Sequence, residues 1–382
     1  VRHFIIVAAF FGLCASFVPS APAFAQKMLE DFLKPMPELP VMPEDEFKKS
    51  STLYKETPSG DKKLSYTVRL PKKWNKQQNK ALAGISISNR VLGEVDRYYG
   101  PVRVGDRSYF SIQAMDLDYK LTAEQWLVLH LLENGNTIEG IRTIDDTRVE
   151  VIYVLIDRNI TYIASAVAQV SGSRVVFARY VVPANAWEEE AAVSQRVIES
   201  FSLDHIDDSF VEAMTPYRFL DVAELQYPNS WELKAKPLRS ADRMSIELLN
   251  VQEKNKFSSK RILKGKMETH LLTEYIVDDI DEDIERFVRD MSIDQLRIQD
   301  VIEEFDNFTV DDNMEIVEIK AYEAIDKNQS VKAYEYWLAV MHAGEYYYFV
   351  TLLTPSRDDD YFSWARNTQT FRVLVQNVQP LI

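Results

Sequence analysis

Among 382 residues there is one cysteine, Cys14, so no intramolecular disulfide can form and the fold must rest on its core alone. Glycine is scarce, eleven in all, and no Gly-rich phosphate loop occurs. The sequence has no Gly-x-Ser-x-Gly elbow and no His-Glu-x-x-His pair. Basic residues are outnumbered 44 to 59, which leaves a formal charge of −15. Such a balance has nothing with which to neutralise phosphates, so nucleic acid is excluded as a partner. Anionic lipid is equally poorly matched.

What is present begins with an export signal. Arg2 and His3 precede an apolar run from Phe4 to Val18, and Pro19 breaks it. Ala23-Phe24-Ala25 then offers small residues where a signal peptidase reads, which predicts a cleaved leader over 1–25. The run gives about 22 Å of helix, short of the roughly 30 Å hydrocarbon core, so an uncleaved anchor is disfavoured and no stable membrane insertion is expected. Leu13 precedes Cys14 where lipoprotein processing needs a small residue. Val1 reads as an alternative start codon, which points to a bacterial source. The expected location is periplasmic or secreted. Cleavage removes Arg2, moving the charge from −15 to −16, and also removes Cys14.

Residues 26–61 read as a proline-rich tether, mostly disordered. Pro35, Pro37, Pro40 and Pro43 alternate with Met36, Leu39, Val41 and Met42. Proline at this density favours extended chain. A spacer explains the prolines. The interleaved Met36 and Leu39 suggest a docking peptide as the alternative.

From about residue 62 the pattern is mixed. Leu64 to Leu70 alternates as a strand, and strands are expected near 80–90, 94–104 and 107–117. Thr122 with Gln125 predicts a capped helix that ends at Gly135. Strands over 136–144, 148–157, 160–170 and 174–182 lead through Pro183 into a helix over 185–201. The second half repeats this order. It has a strand over 219–227, strands near 243–252 and 266–277, and a helix over 280–292. Four more strands run to Pro355, and Ser356 is expected to cap a last helix. Pro71 and Trp74 match Pro228 and Trp231 at an offset of 157, and Pro183 matches Pro355 at 172. The expected division is 62–203, a linker 204–216, a second domain 217–376 and a tail 377–382.

A strand ending in Pro and Trp, a middle helix, a meander, and an aromatic strand leading through Pro into a last helix resemble the PsbP-like family. The residues that carry this are Tyr227-Pro-Asn-Ser-Trp231, Tyr346 to Pro355 and, more loosely, Val175 to Pro183. The resemblance covers about 62–376. It implies an α+β fold made twice, each copy an antiparallel sheet with helices on its faces in an α/β/α sandwich. It implies binding or assembly of other proteins, and it supplies no catalytic set.

Four histidines remain after the leader: His130, His205, His270 and His342. None sits at ligand spacing with another, so core or surface roles are expected. Asp278, Asp279, Asp281, Glu282 and Asp283 open the middle helix of the second half. The helix dipole accounts for acids in a first turn, with about 0.3–1 kcal/mol each. The alternative is a weak divalent-cation site. In the strand from Tyr346, alternation puts Tyr346 and Tyr348 on one face. They read as sheet packing or, alternatively, as part of a partner-binding surface. No cofactor and no catalytic residue is expected. The reading is a non-catalytic exported factor that binds an envelope protein; the alternative is a hydrolase or small-ligand binder with its site between the domains. N-terminal sequencing of the protein from its native host is expected to begin at Gln26; finding Arg2 still attached refutes the cleavage.

Overall fold

The computed structural model describes residues 33–77, 92–102, 106–235, 242–255, 258–290, 296–326 and 334–381. The leader and the strand expected near 80–90 lie outside the described residues. The first half runs α1 (Glu44–Ser50), β1 (Ser51–Glu56), β2 (Tyr66–Pro71), β3 (Asn75–Lys76), β4 (Gly93–Tyr99) and β5 (Tyr109–Asp116). It continues with α2 (Ala123–Glu133), β6 (Thr137–Asp145), β7 (Arg148–Asp157), β8 (Ile160–Ser171), β9 (Arg174–Pro183), α3 (Trp187–Glu199) and β10 (Ser202–Leu203). The second half runs β11 (Met214–Phe219), β12 (Ala223–Pro228), β13 (Glu232–Ala235), β14 (Arg243–Asn255) and β15 (Ser258–Thr273). It continues with α4 (Ile280–Asp290), β16 (Leu296–Glu304), β17 (Glu315–Asp326), β18 (Tyr334–Ala343), β19 (Tyr346–Pro355), α5 (Tyr361–Gln376) and β20 (Gln379–Pro380).

Each half has a seven-stranded antiparallel sheet and a three-stranded one. The large sheets are ordered β3-β4-β5-β9-β8-β7-β6 and β13-β14-β15-β19-β18-β17-β16. The small ones are β1-β2-β10 and β11-β12-β20. Strand for strand, the two orders are the same. The last hairpins match too: Gly172 and Gly344 each take the left-handed backbone their two-residue turns require, at φ of 56° and 59°.

The local reasons are visible in the residues. Thr122 Oγ1 accepts from Gln125 N–H at 3.1 Å while Gln125 returns its side chain to Thr122 N–H, so a capping box starts α2. Strands β8 and β9 are buried on nearly every residue because both faces of the first sheet are covered. One face, with Phe110, Tyr180 and Val182, packs against α3 and the small sheet. The other, with Val151, Tyr153 and Phe177, packs against Trp126, Leu127 and Leu131 of α2. In the second half, α5 covers one face through Phe371 and Leu374. Ile284 of α4 lies against Phe349 and Leu338 on the other.

Helix α5 also joins the halves. Ala365 is fully buried within the first half's core, while Phe371 lies in the second's. Phe362 meets Tyr119 edge to face at 5.4 Å, and the Arg366 guanidinium sits 4.9 Å above the Tyr119 ring.

Four expectations are corrected. The stretch read as a disordered tether contains α1 and β1, because Pro43 ends just where a helix tolerates proline and Phe47 is buried. The strand expected over 219–227 is β12 alone, and the expected linker 204–216 holds part of a further strand, β11, which pairs with β12 after the chain reverses at Leu220 with φ 50°. The last helix is capped by Asp360, which accepts from Ser363 N–H at 3.0 Å, not by Ser356. The tail contains β20, which pairs with β12.

Residues 34–37 lie along the outer edge of β6. Ile141 N–H donates to Lys34 O at 2.8 Å, and Pro35 bridges Ile141 in parallel. The close approach depends on Gly140: a Cβ there would lie 2.6 Å from Pro37 Cδ and 2.7 Å from Pro35 O. Gly140→Val is expected to speed hydrogen exchange of the Ile141 amide at least tenfold, about 1.4 kcal/mol of opening free energy. Amides at the centre of β7–β8 should keep their protection. Unchanged exchange at Ile141 counts against the docking.

Candidate ligand-binding site

A cavity of about 800 Å³ lies on the α2 face of the first sheet, within the range of small-molecule sites. Its wall is built chiefly by three strands and a helix. Gln113 and Met115 come from β5, Arg179 from β9, Tyr153 and Leu155 from β7, and Trp126 and His130 from α2. Phe362 of α5 adds a residue of the second half.

Arg179 is the chemically distinctive wall residue. Register places it opposite Ser111, which in turn sits opposite Arg97. Its Nε donates to Ser111 Oγ at 2.9 Å, and the guanidinium also donates to the Tyr153 hydroxyl. Among the described residues no carboxylate pairs with it. Arg97 differs, since Glu94 accepts from its Nε at 2.9 Å. Burial opposes the Arg179 charge, and the hydroxyls of Tyr153 and Tyr109 favour it, leaving its pKa raised. It stays protonated.

His130 lies flat on Trp126, with centroids 5.0 Å apart, and edge-on to Phe177 at 5.5 Å. Burial and then the Arg179 charge push its pKa down to about 4, so the imidazole is neutral at pH 7. Its side-chain neighbour is Asn134, 3.3 Å from Nδ1. That setting provides shape and hydrogen bonding. Exposed Asp118 and Glu133 stand at the rim.

The second half builds the same row with other chemistry. Glu247 pairs with Glu268, and Glu268 with Thr351, where the first half has Arg97, Ser111 and Arg179. Lys266 reaches Glu268 at 3.0 Å, so that row is closed on itself. A second cavity, about 710 Å³, lies between α4 and strands β16 and β17.

The residues singled out from sequence are dispersed. Asp279 Oδ1 accepts from Asp281 N–H at 3.0 Å and Glu282 N–H at 3.2 Å, which caps α4. Asp283 pairs with Arg286 at 2.6 Å, while Asp278 is exposed. Among the described residues no three His, Cys, Asp or Glu side chains are placed to hold a metal ion. Tyr348, read as sheet packing with a partner surface as the alternative, is fully buried, and burial raises its pKa to about 12. Tyr346 is half-buried against the same core. Met36 and Leu39 are half-buried beside Val151, Ile152 and Ile198 of the first half, so their apolar surface is turned toward the chain itself. His342 Nε2 contacts Glu274 at 2.6 Å, and His270 contacts Glu268 at 3.4 Å. Arg179 escaped the sequence reading. Its signal is a lone charge inside the apolar run Val175 to Pro183.

No family model matches the chain, and no curated protein matches it. Solved structures give distant likenesses. The PsbP of the cyanobacterium Synechocystis is similar at 14% identity and a TM-score of 0.29, over 40% of this chain and 92% of its own. LpqN of Mycobacterium tuberculosis, described as involved in cell envelope biogenesis, is similar at 10% identity and a TM-score of 0.27, over 43% and 98%. The immunity protein TplEi of the Pseudomonas aeruginosa T6SS, in complex with a peptide, is similar at 10% identity and a TM-score of 0.20, over 82% and 94%. Among the described residues no helix is long and apolar enough to cross a membrane.

The depressed His130 pKa sets a pH response. An unfolded chain takes up this proton near pH 6.5, the folded one near 4. Stability from this group is therefore full above about pH 6.5 and falls as pH drops toward 4, by on the order of 2–3 kcal/mol. Urea unfolding of His130→Phe should show a smaller loss between pH 7 and 4 than the parent chain. Equal losses in both refute the assignment.

Proposed function

We propose that this chain is a non-catalytic binding protein of the cell envelope, made of two copies of one sheet-and-helix unit, with the first unit's cavity as its recognition site. The observation that carries this is the cavity itself: an open volume on a sheet face, walled in part by aromatic side chains, holding one guanidinium without a carboxylate partner among the described residues. The leader supports export. The shared strand order supports the duplication.

The cavity supports ligand binding over turnover. His130 is held between aromatic rings and an amide, where no nucleophile or carboxylate adjoins it among the described residues. Phe362 draws the second half into the wall, which favours a small ligand held where the halves meet. The protein-docking reading has less support, because Tyr348, Met36 and Leu39 are turned inward to different degrees.

Thermal unfolding against a panel of small organic acids, amides and alcohols tests the site. A compound at a hundredfold excess over its Kd adds about 2.7 kcal/mol, a rise of several degrees in Tm. The rise should vanish in Leu129→Trp, which fills the cavity from α2. A panel that raises Tm in neither protein, or equally in both, rejects the cavity as the binding site.

A further inference from the structure

The proposed binding site gains a ligand class from the comparison of the two halves. Arg179 and Thr351 occupy matching positions of β9 and β19, each facing the middle helix of its own half. Thr351 is buried there with its hydroxyl 3.5 Å from Glu268 O. The fold therefore does not need an arginine at this point to close. Nor does it leave the matching charges open, since Glu268 is met by Lys266 in the second half. In the first half, the Arg179 guanidinium instead lines a cavity, and its acceptors among the described residues are the hydroxyls of Ser111 and Tyr153.

A guanidinium in such a place has lost much of its water without gaining a counter-ion among the described residues, which is costly unless something returns the charge. Nε is committed to Ser111. The planar fork suits two parallel hydrogen bonds to a carboxylate. Along the cavity, Met115, Leu129, Leu155 and Phe362 offer apolar surface. A bare anion would leave that surface wet, while an apolar molecule without a charge would leave the fork unmet.

On the reading of this cavity as the binding site, we propose that it takes an organic carboxylate with an apolar body, its carboxyl group paired with Arg179 and its body against Leu155 and Phe362. Asp118 and Glu133 at the rim disfavour a second negative charge on the outer end, so a monocarboxylate fits better than a diacid.

The test is calorimetry on the full chain with acetate, 4-phenylbutyrate, indole-3-acetate and decanoate, each beside its amide. One or more of the larger acids should bind, about tenfold or more tighter than its amide, and acetate should not. Arg179→Gln should bring acid and amide to equal affinity, with its far-ultraviolet circular dichroism unchanged. Ser111→Ala, which frees the guanidinium from its strand partner, should weaken the acid alone. The bound acid should also raise the His130 pKa from about 4, read by imidazole NMR, because it offsets the Arg179 charge. A peptide ending in phenylalanine, with free or amidated terminus, separates the two sources of this chemistry; preference for the free terminus over every small acid assigns the site to chain ends. If amides bind as tightly as acids and Leu129→Trp abolishes both, the cavity stands and the carboxylate anchor falls. If nothing binds, both fall.

Discussion

The first sheet is wider than the helix that covers it, and the candidate site follows from that mismatch. Seven strands at about 4.8 Å spacing span roughly 29 Å. Helix α2 has 11 residues, which is about 16 Å of length. A single helix of that size cannot roof the whole face. Trp126, Leu127 and Leu131 seal the part beneath α2 against Val151 and Phe177. Beyond its reach the wall is made by side chains standing on the strands themselves. Gln113, Tyr153 and Arg179 stand there because register, not sequence distance, brings them onto one face.

The second half obeys the same geometry with an 11-residue α4, and it too has a cavity beside its helix. Sharing the constraint, the halves differ in what they do with it. Lys266 bridges Glu247 and Glu268 inside the second half, an arrangement of mutual pairing that suits a supporting role. The first half gives Arg179 no carboxylate partner among the described residues. Two halves with the same strand order thus differ: one carries Arg179 on the cavity wall, and the other lends Phe362 and Ala365 to the first half. Helix α5 makes the division workable, since one helix packs into both cores and fixes Phe362 beside Tyr119.

Much of the fold was legible in the residues, for local reasons. Thr122 and Gln125 announce a helix start, alternation marks β2, and the Pro-Trp corners at Pro71 and Pro228 recur at equivalent points. Other features were hidden for equally physical reasons. Leu220 adopts a left-handed backbone that leucine does not advertise, so the turn there was missed, the strand before β12 was started too early, and β11 read as linker. The prolines before α1 suggested disorder, yet Phe47 finds a core and the acids Glu44, Asp45 and Glu46 favour the helix start. The site was the least legible part. Ser111 and Arg179 are 68 residues apart, and nothing local to either says that β5 pairs with β9. Tyrosines, conspicuous in sequence, proved to be mostly packing.

The overall charge of −15 bears on how such a site selects. At physiological ionic strength the surface charges are screened beyond about 8 Å, so an acid approaching the mouth meets mainly its rim, where Asp118 and Glu133 repel it. Attraction begins only within the cavity, where Arg179 is partly shielded from water and ions. A small inorganic anion gains little from that short-range attraction, since it must shed its hydration shell for one partner. A carboxylate on an apolar body gains from burial as well, at about 25 cal/mol for each Å² removed from water. Repulsion outside and pairing inside therefore act together as a filter, passing molecules whose apolar part offsets the barrier at the rim. A lone arginine on an otherwise apolar strand is sufficient for this, provided that the helix above it is too short to hide it.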